Sequence, residues 1–113
     1  MRIAIDFDGT IHPYSNGWIG EYPDDEPPIE GTKDFLKNLY DAGYHIIIFS
    51  VRANTYPGLA GIYSWLKRWD LLGFIHSITH EKPSAIAYID DRAIRFRGEW
   101  NDDIMNQIKE LEL

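Results

Sequence analysis

The stretch IDFDGT, residues 5–10, places two carboxylates, Asp6 and Asp8, one residue apart at the end of an apolar run and follows them at once with Gly9 and Thr10. Two acids so close repel each other unless a cation or a reacting group stands between them. A second acidic pair, Asp90 and Asp91, closes the run AIAYID at 85–90. The run HIIIFS at 45–50 ends in Ser50, with Arg52 two residues on, and Lys82 lies in the segment feeding the last run. Four carboxylates gathered at neighbouring strand ends call for a cation, and all-oxygen coordination completed by water favours Mg2+ over zinc or copper. A carboxylate facing a phosphoryl group beside magnesium can attack phosphorus to form an acyl phosphate while a second acid protonates the leaving oxygen.

For these residues to meet, the chain must form a sheet whose strands end at one edge. The apolar runs at 3–7, 45–50, 74–79 and 85–90 read as strands. Between the first two, Phe35, Leu36, Leu39 and Tyr40 recur at helical spacing and Gly43 stands where a helix C-cap belongs. Between the second and third, in the segment 57–73, Leu59, Ile62, Leu66 and Trp69 mark one face of a helix, with Trp65 also assigned to the core and Gly73 past the end. Ile104, Ile108 and Leu111 give the C-terminal segment the same period. Strand, helix, strand, helix, strand with short connections predicts an α/β fold, a Rossmann-like three-layer sandwich with a mainly parallel central sheet, as a single domain over 1–113. In such sheets ligands bind at the carboxyl ends of the strands. The connector at 12–31, rich in proline, glycine and aromatics, is long for its place and is read as functional.

The order of motifs resembles the haloacid dehalogenase (HAD) superfamily of aspartate-nucleophile phosphohydrolases. DFDGT is similar to its first motif, the serine ending HIIIFS to its second, the lysine of EKP to its third and the acidic pair of YIDDR to its fourth. The resemblance runs over nearly the whole chain. It implies a magnesium-dependent phosphatase with Asp6 as nucleophile and Asp8 as general acid and then base. The Asp8 backbone carbonyl would also touch the metal, Asp90 and Asp91 would hold it, Ser50 would bond the phosphoryl oxygens, and Lys82 would neutralise charge between nucleophile and phosphate. Gly9 allows the tight turn and the close approach of phosphate. Thr10 caps that turn, and Arg52 is read as a phosphate or substrate contact, with structural pairing to a neighbouring acid as the alternative. The connector is too short for a folded cap domain, and the stretch between Ser50 and Lys82 is already used by one helix and one strand. A capless site open to a large phosphorylated substrate is therefore expected, with Tyr14, Trp18 and Tyr22 as its rim and His12 near it.

Composition limits the partners. The net charge of -7, from 18 acids against 11 bases, argues against broad attraction to nucleic acid or anionic membranes. The absence of cysteine removes disulfides, thiolate metal sites and cysteine nucleophiles. No targeting signal or membrane span is read, and with no cysteine a cytoplasmic protein is expected. Arg95 and Arg97 alternate beside Trp100, a pattern that suits either a solvated edge strand or a polyanionic leaving group. Two alternatives stand beside the phosphatase: a non-catalytic, receiver-like magnesium- and phosphate-binding module, and a nucleic-acid end-processing phosphatase.

Overall fold

The computed structural model describes residues 1–112. Four strands, β1 (Arg2–Asp6), β2 (His45–Phe49), β3 (Ser77–Thr79) and β4 (Ala87–Ile89), form one parallel sheet in the order β3-β2-β1-β4. Three helices, α1 (Thr32–Asp41), α2 (Tyr56–Arg68) and α3 (Asp102–Leu111), complete the α/β architecture expected from the alternation of apolar runs. No helix among the described residues is long and apolar enough to cross a membrane.

Register fixes the two faces of the sheet. Ile3 pairs with Ile46 and Ala87, and Ile5 with Ile48 and Ile89, so these side chains share one face. Ile3, Ile5, Ile46 and Ile48 form one core with Leu36 of α1 and Ile62, Trp65 and Leu66 of α2, and Ile89 packs against it partly buried. The steps β1 to β2 and β2 to β3 run the same way across the sheet, so right-handed crossovers put α1 and α2 on that face. The step from β3 back to β4 runs the opposite way and its crossover belongs on the other face. Tyr88, in register with Ala4, points there, and its hydroxyl donates to the Pro83 carbonyl at 2.6 Å. This short crossover lies over that face, where Ala4 and Ile47 are buried.

The local signals explain most element ends. Gly43 closes α1 at φ 90°, with its N–H bonded to the Tyr40 carbonyl and that of Tyr44 to the Leu39 carbonyl, the paired bonds of a Schellman cap. The Thr55 hydroxyl caps α2 by accepting from the Gly58 N–H at 3.1 Å. That helix ends at Arg68, not at Gly73, because Asp70 takes the left-handed turn at φ 59°. Leu72–Phe74 then forms a short 3-10 turn, and β3 starts only at Ser77. The apolar positions of the helices are used unevenly. Leu36 is buried, but Phe35, Tyr40 and Leu59 are exposed, and Trp69 is half-buried. Helix α3 has no buried residue.

Candidate active site

The carboxylates of the first motif owe their position to strand alternation. Phe7 is fully buried, edge-on to Trp65 at 5.2 Å between ring centroids, so Asp6 and Asp8 on either side of it turn toward the opposite side. The chain then folds back sharply. The Phe7 carbonyl accepts from the N–H groups of Thr10, Ile11 and His12 at 3.1–3.2 Å, and the Gly9 N–H donates to the His12 carbonyl at 2.8 Å. Gly9 holds φ 84°, and a Cβ there would collide with the Asp91 carboxylate, so glycine is required both for the turn and for the approach of the late acidic pair. The Thr10 hydroxyl lies 3.3 Å from Asp6 Oδ2 as its donor, tying the turn to the first carboxylate.

Because β4 pairs with β1, Asp90 and Asp91 emerge beside Asp6. Carboxylate oxygens of Asp6, Asp90 and Asp91 all lie within 4.8 Å of one another. The electrostatic consequence falls on Asp6, whose pKa is raised from 3.8 to about 7 by burial first, then by the charges of Asp90 and Asp91. These residues border a cavity of about 340 Å³ at the carboxyl edge of the sheet, which Asp8, Ser50, Tyr14, Trp18 and Arg92 also line. Ser50, buried at the end of β2, accepts from the Arg52 N–H through its hydroxyl oxygen at 3.2 Å, which leaves its own O–H to donate.

Arg52 is engaged within the protein. Its guanidinium is buried and donates to both oxygens of Asp8, at 3.2 Å from Nε and 2.9 Å from Nη2. Nη1 donates to the Gly20 and Glu21 carbonyls, both at 2.7 Å, and the Trp18 ring covers the group at 4.4 Å. This bidentate pair fixes the Asp8 carboxylate and anchors the connector to the end of β2. Lys82 stands apart from the cavity wall: it lies in the crossover, with its ammonium 4.6 Å from the Tyr88 ring centroid. Tyr14 and Trp18 line the cavity, whereas Tyr22 packs on α2 at Gly61.

His12 pins the base of the connector. It is buried, its Nδ1 accepts from the Tyr14 N–H at 2.9 Å, and its Nε2 faces the Asp24 carbonyl at 2.9 Å and the Asp24 carboxylate at 3.0 Å. His12, Asp24 and Glu26 thus make a second close group, knotted by hydrogen bonds to the connector backbone. Sequence reasoning missed this knot; for Arg52 it held pairing with a neighbouring acid as the alternative to a substrate contact, and the structure shows that pairing, with Asp8.

No family model, curated protein or solved structure matches this chain.

Proposed function

We propose that this chain is a magnesium-dependent phosphomonoesterase of the HAD type that works through an aspartyl phosphate on Asp6. The observation that carries this reading is the convergence of Asp6, Asp90 and Asp91 within 4.8 Å along a cavity also lined by Ser50 and Asp8. The donor set fits a hard divalent cation. All three groups offer oxygen, two are exposed and leave room for water ligands, and the raised pKa of Asp6 marks anionic charge in need of compensation. Asp6, Asp90 and Asp91 would hold the ion with the Asp8 backbone carbonyl, and the ion would supply charge neutralisation for the phosphoryl oxygens.

The chain's own groups divide the remaining work. An Asp6 oxygen attacks phosphorus, the bond from phosphorus to the ester oxygen breaks, and that oxygen takes a proton from Asp8. Water then attacks the aspartyl phosphate with Asp8 as base, releasing inorganic phosphate and restoring Asp6. Each Asp8 oxygen accepts one hydrogen bond from Arg52 and keeps a second lone-pair direction for the substrate proton. The Ser50 O–H donates to a phosphoryl oxygen, and Arg92 adds positive charge from the cavity wall.

The test is turnover of p-nitrophenyl phosphate by the purified chain. The wild-type protein should show activity that requires magnesium, and Asp6→Asn should lose at least about three powers of ten in kcat with an unchanged circular dichroism spectrum. Wild-type protein that hydrolyses no member of a broad phosphomonoester panel with magnesium present would overturn the reading.

A further inference from the structure

The cavity continues along the outer edge of β4. A concavity of about 700 Å³ there shares Asp90 with it, and a smaller hollow of about 210 Å³ beside the start of α3 shares Arg95 with that concavity. Arg92 lines the cavity, Arg95 stands where the second and third hollows meet, and Arg97 lines the third. Among the described residues none of these three arginines makes an ion pair, although the chain carries a net charge of -7. On the same segment Phe96 and Trp100 pair at 4.7 Å between centroids while remaining 50% and 82% exposed. Positive groups without internal partners and an aromatic pair open to solvent, strung out from a cavity lined by acids, match a ligand with a phosphate at its end, further phosphates behind it and flat faces to stack.

We propose that this groove binds the leaving group of the reaction, and that the leaving group is a single-stranded oligonucleotide whose terminal phosphate enters the cavity. The inference rests on the phosphatase reading and adds its substrate class. A single strand fits because its bases are free to stack on Phe96 and Trp100, which paired bases in a duplex are not. A second copy of the chain is the competing occupant. It would cover Trp100 but would bring its own net charge of -7 against an equal one. The overall charge opposes long-range steering of an oligonucleotide, so recognition is local and affinity modest.

The test compares p-nitrophenyl phosphate with oligothymidylates carrying a 3′- or a 5′-phosphate, using wild-type protein and the double variant Arg95→Ala/Arg97→Ala. The double variant should keep kcat/KM for the aryl phosphate within about two-fold and lose about ten-fold or more on the preferred oligonucleotide. Binding of the fluorescein-labelled oligonucleotide to Asp6→Asn, followed by anisotropy, isolates the groove from the chemistry. Three phosphate contacts give a slope of log K against log salt of about -2, and the double substitution should bring it to about -0.7. Equal losses on both substrates, or good aryl phosphate turnover with no oligonucleotide bound or hydrolysed, would overturn the proposal. So would a solution dimer dissolved by Trp100→Ala in a protein that binds no oligonucleotide. Failure of the phosphatase reading looks different: no ester is turned over by wild-type protein, yet arginine-dependent binding persists, which supports the groove and removes only the reaction.

Discussion

Asp6 carries the chemical tension of the site, and pH exposes it. Its folded pKa of about 7 lies above the ordinary 3.8, so the folded protein binds a proton there that the unfolded chain has released. The stability this contributes is complete below about pH 4 and is lost as pH rises through about 7. In magnesium-free buffer, Asp6→Asn should therefore stabilise the protein at pH 8 relative to wild type and change it little at pH 4. A gain of roughly 1 kcal/mol is expected after allowance for solvent screening, read as a difference in thermal midpoint of about 4 °C. Adding magnesium at pH 8 should raise the wild-type midpoint and leave that of the variant nearly fixed. Arg52 bears on the neighbouring acid. Replacing it with lysine keeps the charge and loses the fork, so kcat should fall about ten-fold with KM almost unchanged. Arg52→Ala strands a carboxylate and two carbonyls and should cost about 3 kcal/mol or more in denaturant unfolding. A phosphate contact at Arg52 would raise KM instead. The acids were legible in the sequence because each closes an apolar run, and strand ends collect at one edge of a parallel sheet. The anchoring of the connector by Arg52 was not, because two of its partners are backbone carbonyls some thirty residues upstream, and carbonyls leave no trace in residue identity.

Among the elements, equal periodicity has produced unequal burial. Helix α2 presents Gly58, Gly61, Ile62, Trp65 and Leu66 inward, and its glycines admit close neighbours: a Cβ on Gly58 would strike the Arg52 carbonyl, and one on Gly61 would press on Tyr22 and Pro23. Helix α3 repeats its apolar residues just as regularly and buries none of them. Ile62→Ala should accordingly cost about 2–5 kcal/mol, and Ile108→Ala less than about 0.5 kcal/mol, measured by urea unfolding of the whole chain. Comparable losses at both positions would mean that α3 packs against the domain in solution. Helix existence was readable from the 3.6-residue period, and so was the glycine cap of α1. The end of α2 was not, because Asp70 supplied the left-handed turn that a reader assigns to Gly73. Nor can a period say whether a partner surface exists: Phe35, Tyr40 and the apolar positions of α3 keep the helical spacing without being buried.

The whole molecule is lopsided. Its radius of gyration is 14.8 Å, against about 13 Å for a compact domain near this length, and residues 92–112 contribute no buried side chain. Both packed helices serve one face, while the late acids hang from β4, an edge strand of three residues held by β1 alone. An ion shared by Asp6 and the Asp90 pair would therefore act as a rivet across the weakest seam of the sheet. Amide hydrogen exchange over Ala87–Ile89 should slow on addition of magnesium while exchange in β2, already enclosed on both sides, stays as it was. Filling the site and finishing the fold would then be one event, and the empty protein would be the one whose outermost strand comes loose first.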